Sequence, residues 1–292
     1  MKDSFSSKLN RRLRQELGFW VLYARSAIGK DTDRDAQVEA QLESFCLFIG
    51  YPRSGSTLIG SMLDAHPNMI IGHEVDVLGM VRWRASAQTL YRALISSSEK
   101  FSDTGSKWQG YDYRINPVWQ GRCSELKVIG DKEAGRTSVH CYRTPGSLDR
   151  LRDQVRRPIK CIHLIRNPLD NIATMYLRGR YPYLALPLSA AIRDYRMMCE
   201  GVAIARGKLA RDEFLDIYYD DVVADPRQST IALCEFLGVS ADESFVEACV
   251  GAVSPGSFNS RSSVEWSSDD KQAVAEIMRE FDTHGRFLEE ST

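Results

Sequence analysis

The chain has 292 residues, 43% of them hydrophobic, with 38 lysines and arginines against 39 aspartates and glutamates. That length fills a sizeable core, and the balanced charge excludes a global basic field for nucleic acid, so any basic site must be local. No apolar run approaches the ~20 residues that span a bilayer, the N-terminus lacks a signal peptide's apolar core, and seven scattered cysteines without C-x-x-C spacing argue against a disulfide framework or zinc site; the expectation is a cytoplasmic protein without a membrane span.

Residues 5–42 read as helical, with a basic first part (Lys8, Arg11, Arg12, Arg14) and an apolar middle (Leu17, Phe19, Trp20, Leu22, Tyr23). Such a helix is one pattern for a membrane surface. Charge interrupts its apolar face, however, and residues 1–42 are expected as an arm packed on the domain or on a partner subunit. Phe45-Cys46-Leu47-Phe48-Ile49 then has the length and composition of a buried strand. It ends in Gly50-Tyr51-Pro52-Arg53-Ser54-Gly55, and Ser56 and Thr57 open a helix running to about Asp64. Amides at such a helix start, in the field of the helix dipole, bind an anion, and phosphate is the usual one. The spacing nearly matches the nucleotide-binding loop G-x-x-x-x-G-K-[ST], but Ser56 stands where the lysine belongs. That lysine reaches the β- and γ-phosphates, so its loss weakens a reading as an ATPase, GTPase or kinase. The cation sits mid-loop instead, as Arg53, placed to reach over a bound 5′-phosphate.

Tyr51-Pro52-Arg53-Ser54-Gly55-Ser56-Thr57-Leu58 resembles the 5′-phosphosulfate loop of sulfotransferases that use 3′-phosphoadenosine-5′-phosphosulfate (PAPS) and release PAP. Met62-Leu63-Asp64-Ala65-His66-Pro67 is similar to the tyrosylprotein and bacterial branch. The resemblance assigns Arg53, Ser54, Gly55, Ser56 and Thr57 to the donor's 5′ end. Asn68 to Glu74 reads as a second strand, and strand carboxyl ends form the ligand crevice of open α/β sheets. Glu74 matches the general base proposed for the tyrosylprotein branch, whereas many small-molecule sulfotransferases use a histidine, which keeps His73 open; the bland alternative for Glu74 is a cap on a following helix. Residues 75–99 read as that helix. A long segment, 100–125, carries Trp108, Tyr111, Tyr113 and Trp119 and suits either an acceptor wall or simple surface packing.

Leu126 to Lys132 reads as a strand. Asp131 superficially matches a magnesium-holding aspartate, while Lys132 matches the lysine that similar sulfotransferases place against the bridging oxygen. Pro158 to Arg166 is the clearest later strand; Cys161 and His163 share one face of it and are expected as buried packing. Arg166 with Thr174 resembles the family's 3′-phosphate site, R-x-x-x-D-x-x-x-S, with threonine for serine, and a guanidinium and a hydroxyl suit phosphate. Residues 187–210 read as a helix, 214–219 as a strand, 226–237 and 268–281 as helices, and the loop 254–266 carries Arg261, which with Ser260 or Ser262 is a candidate to close the nucleotide site in the manner of relatives. Alternating strands and helices imply a three-layer α/β domain over 43–292, a mostly parallel sheet with helices on both faces and a P-loop NTPase-like sulfotransferase fold. The resemblance implies PAPS as donor, no metal, and a small-molecule or peptide acceptor taking the sulfuryl group on a hydroxyl or amine: a metabolite, a sugar or lipid, or a peptide tyrosine. A homodimer stays open. The alternatives are a P-loop kinase or NTPase-like phosphotransferase and a non-catalytic PAP-binding protein.

Overall fold

The computed structural model describes residues 18–29, 32–116, 119–178, 187–254 and 259–291. Residues 1–17 and 30–31 of the expected arm and 255–258 of the expected C-terminal loop lie outside the described residues. Helix α1 (18–28) and helix α2 (Thr32–Gln41) come first. The single helix expected over 5–42 is thus interrupted: α1 ends at Gly29, a residue that weakens a helix interior. Next come β1 (Ser44–Gly50), α3 (Ser56–Asp64), β2 (Met69–Gly72), α4 (Val77–Arg82) and α5 (Ala87–Asp103). A hairpin of β3 (Lys107–Trp108) and β4 (Tyr111–Asp112) precedes β5 (Val128–Asp131), α6 (Ala134–Arg143) and α7 (Ser147–Val155). They are followed by β6 (Ile159–Ile165), α8 (Pro168–Arg178), α9 (Leu188–Arg206) and β7 (Phe214–Tyr218). Helices α10 (Tyr219–Ala224), α11 (Pro226–Leu237), α12 (Glu243–Ala252) and α13 (Ser268–Glu280) follow.

Strands β2, β5, β1, β6 and β7 lie side by side in that order, and each neighbouring pair is parallel. The central strand shows how sequence makes the layers. Because side chains alternate across a strand, Phe45, Leu47 and Ile49 of β1 join one core with Leu90, Leu94, Val139 and Tyr195, while Cys46 and Phe48 join another with Met62, Leu233 and Phe245. A parallel sheet buried on both faces accommodates the near-continuous apolar run of β1, whose residues are all buried. The result is the expected three-layer α/β architecture. Among the described residues no helix is long and apolar enough to cross a membrane.

Two expected elements differ. The strand expected over Asn68 to Glu74 stops at Gly72, where its ladder with β5 ends opposite Asp131. Beyond it Glu74 (φ 56°) and Asp76 (φ 65°) turn the chain, so strand alternation does not govern His73 and Glu74. The helix expected over 75–99 is two helices. Asp76, rather than Glu74, caps α4 by accepting from the Gly79 amide, Arg84 (φ 61°) breaks the run, and Ser86 caps α5 at the Thr89 amide.

Asp64, at the end of α3, ties the helix behind the glycine loop to three other segments. Its buried carboxylate accepts from the Ile71 amide (2.7 Å), the Ser98 hydroxyl (2.7 and 2.8 Å) and the Gly121 amide (3.2 Å), and burial pushes its pKa up to about 6. Each buried donor left without an acceptor costs about 1–3 kcal/mol, so Asp64→Ala is expected to lose about 2–4 kcal/mol in urea unfolding; an unchanged midpoint would show that water replaces these bonds.

Candidate active site

The loop between β1 and α3 is built for a close backbone approach. Gly55 has φ 101°, and a Cβ there would meet the Tyr219 ring at 2.5 Å. The Ser54 hydroxyl is buried and donates to the Tyr51 carbonyl at 2.9 Å, which closes the loop on itself. Leu58 and Ile59 donate to the Gly55 carbonyl, so the amides of Ser56 and Thr57 precede the first intrahelical bond of α3 and head the helix. Asn171 of α8 donates to the Pro52 carbonyl at 2.6 Å and braces the loop from the other side, while its buried Oδ1 has no hydrogen-bond partner. A helix N-terminus and a glycine that admits backbone only fit a phosphate-bearing ligand.

Strand register brings the next residues together. Gly72 pairs with Asp131, so Lys132 leaves β5 beside the chain leaving β2, and its amide donates to the Gly72 carbonyl at 3.0 Å. Its stem crosses α3 at Gly60, where a Cβ would lie 2.5 Å from Lys132 Cγ; only glycine leaves room there. The buried Nζ then donates to Thr57 Oγ1 (3.1 Å) and Glu74 Oε1 (3.0 Å). Glu74 is the more open partner, its side chain 34% exposed. Burial opposes its ionisation, but Lys132, then His73 and Arg136, together hold the carboxyl below its ordinary value. Neighbouring Glu133, which caps α6 at the Arg136 amide, is pushed upward by burial and by the negative charge of Glu74. Of these two acids, Glu74 carries the charge at neutral pH.

His73 faces elsewhere. Its ring stacks on Phe101 at 4.0 Å and meets Trp108 edge-on at 4.7 Å. Burial and the Lys132 charge push its pKa down to about 3, so it is neutral at physiological pH. Asp131 is fully buried, and both its oxygens serve backbone: Oδ1 accepts from Val75 and Glu133, Oδ2 from Val77. It therefore positions the turn that presents Glu74, and the likeness to a metal-holding aspartate reflects only its place at a strand end.

At the other side of the loop, Arg166 at the end of β6 donates to the Arg53 carbonyl at 3.2 Å and lies over the Tyr219 ring at 5.8 Å. Thr174 is buried on α8, its hydroxyl donating to the Asp170 carbonyl at 2.8 Å. Arg261 reaches the same helix: its amide donates to Asp170 Oδ1 at 2.8 Å and its Nε lies 3.9 Å from Oδ2. The neighbouring Ser262 hydroxyl donates instead to the Asn259 carbonyl, 2.9 Å away. Cys161 and His163 are buried as expected, with His163 Nδ1 2.8 Å from Asp216 Oδ1.

Three contributors escape the sequence reading. The Arg53 guanidinium hydrogen-bonds Gln109 at the tip of the β3–β4 hairpin, where Gln109 (φ 54°) and Gly110 (φ 91°) both have positive φ. Two successive positive-φ residues match a type I′ turn, but Gln-Gly is a weaker signal for it than Asn-Gly. Tyr219, under Gly55 and beside Arg166, carries no local pattern that marks it; Asp170, which anchors Arg261, is the aspartate of the R-x-x-x-D-x-x-x-S pattern, but the pattern gives it no role.

Residues 47–243, more than half of the chain, match the model described as the sulfotransferase family. Among solved structures, sulfotransferase STF9 from Mycobacterium avium is 14% identical, with 86% of this chain and 80% of that chain covered at a TM-score of 0.51. STF1 from Mycobacterium tuberculosis H37Rv is also 14% identical, with 83% and 80% covered and a TM-score of 0.51. The sulfotransferase domain of the Synechococcus PCC 7002 olefin synthase is 22% identical, with 70% and 75% covered and a TM-score of 0.47. The two mycobacterial enzymes share this fold, and with a match that runs from β1 to the start of α12, the chain belongs to the sulfotransferase family.

Proposed function

We propose that this chain moves the sulfuryl group of PAPS to a hydroxyl or amine of an acceptor, and that the junction of Lys132 Nζ with Thr57 Oγ1 and Glu74 Oε1 is the chemical centre. That junction is the observation that carries the reading, because it sets a carboxylate base and a cation beside a loop shaped for a 5′-phosphate. The amides heading α3 hold the 5′-phosphate, and Arg166, Thr174 and Arg261 hold the 3′-phosphate. Glu74 takes the proton as the acceptor atom attacks sulfur; the new bond to sulfur forms as the bond from sulfur to the bridging oxygen breaks, and PAP leaves. Arg53 and Lys132 stabilise the charge on the transferring group and leaving oxygen. Protonation of Glu74 weakens its hold on Lys132, which couples the base to the cation. The acceptor is a small metabolite, a sugar or lipid, or a peptide tyrosine, and mass spectrometry of candidate acceptors incubated with protein and PAPS identifies it by the added sulfuryl group.

Calorimetry tests the donor. Charge-assisted hydrogen bonds contribute about 1.5–3 kcal/mol each, so PAP is expected to bind at least ~10-fold more tightly than AMP, and Arg166→Ala to erase most of that preference. Equal affinity for the two nucleotides sinks the 3′-phosphate assignment.

A further inference from the structure

The arm helix α1 packs inward through Phe19, Leu22 and Tyr23. Its place is fixed by the Tyr23 hydroxyl on the Trp83 carbonyl (2.9 Å) and by Arg92, which donates to the Ser26 carbonyl (3.1 Å). The opposite side presents Trp20 (44% exposed), Val21 (48%) and Ile28 (78%) at helical spacing, and Trp20 meets Trp83 (54% exposed) edge-on at 5.1 Å. Exposed Arg25, Arg82 and Arg84 accompany these residues, and none of the three forms an ion pair among the described residues. Neither 18–28 nor 82–86 contains an acidic residue, while residues 1–17 carry Lys8, Arg11, Arg12 and Arg14. Two indole rings flanked by arginines match the chemistry of a lipid interface, where tryptophan sits at headgroup depth and basic side chains meet anionic lipid. A second copy fits poorly, because a two-fold contact would set cation against cation.

We infer that the Trp20–Trp83 face, with Arg25, Arg82 and Arg84, docks the protein on an anionic bilayer surface. Helix α4 begins after the turn that carries Glu74 and ends at Arg82, with Trp83 next in the chain; six residues span about 9 Å, so the docked face lies one short helix from the candidate base.

Sedimentation of the full chain with vesicles tests this. Binding is expected to phosphatidylcholine vesicles containing about 30 mol% phosphatidylglycerol, to exceed binding to phosphatidylcholine alone, and to fall as salt rises. Arg82→Ser/Arg84→Ser is expected to cut partitioning about 25-fold at low salt, roughly fivefold per arginine. Trp20→Ala/Trp83→Ala is expected to reduce it at least ~10-fold. Wild-type melting curves show that the variants fold; should the tryptophan pair unfold, the surface arginine pair and the lipid and salt dependence of the wild type still decide. Equal binding to both vesicle types, unchanged binding in a folded double variant, or a dimer in light scattering that the same substitutions dissociate would each overturn the proposal.

Discussion

Glu74→Gln is expected to lower sulfuryl transfer by ~10²–10⁴-fold while leaving PAP affinity intact, because the amide keeps the shape of the side chain and removes its basicity. The structure sharpens the choice between the two neighbours. Glu74 is held by Lys132 at 3.0 Å and is one-third exposed, whereas His73 is stacked on Phe101 and edged by Trp108. With its pKa pushed down to about 3, His73 is also a feeble base. His73→Gln should therefore act through the packing of the wall and be the milder change. The pH profile adds an independent check. Glu74 is held below its ordinary 4.5, so it is ionised at neutral pH, and the acid limb it imposes on kcat/KM lies below that value. An active Glu74→Gln beside an inactive His73→Gln would move the role to histidine.

Much of the site was legible because it follows chain-local rules. A buried strand, a glycine-bearing loop and a helix start are marked by composition over Phe45 to Asp64, and strand carboxyl ends concentrate Lys132 and Arg166 without knowledge of the fold. What register and turn geometry decide was not legible. The strand through Glu74 was over-extended because β2 has a ladder partner only as far as Gly72, and the break at Arg84 occurs at a non-glycine positive φ without a Gly or Pro to announce it. The hairpin that brings Gln109 to Arg53 has strands of two residues, too short for any periodic signal, and joins residues 56 positions apart. The likeness of Asp131 to a metal acid is superficial for a related reason: it follows from position in sequence alone, while its oxygens are committed to the amides that shape the Glu74 turn.

Arg53→Ala and Lys132→Met are each expected to lower kcat by ~10²-fold or more with a smaller change in PAP affinity, since stabilisation confined to the transition state is lost from turnover when removed. Methionine is the better probe at 132, because the stem of Lys132 lies against Gly60 and alanine would leave a hole beside α3. The two variants separate in their pH dependence. Lys132 is the foremost group holding Glu74 down against the effect of burial, and Arg53 is not among those groups. In Lys132→Met the pKa of Glu74 therefore rises, and the acid limb of the residual kcat/KM moves to higher pH; in Arg53→Ala it stays where it was. A uniform drop in donor affinity with unchanged kcat would make both residues donor ligands rather than stabilisers of the transferring group, and an unshifted limb in Lys132→Met would separate Glu74 from the proton transfer.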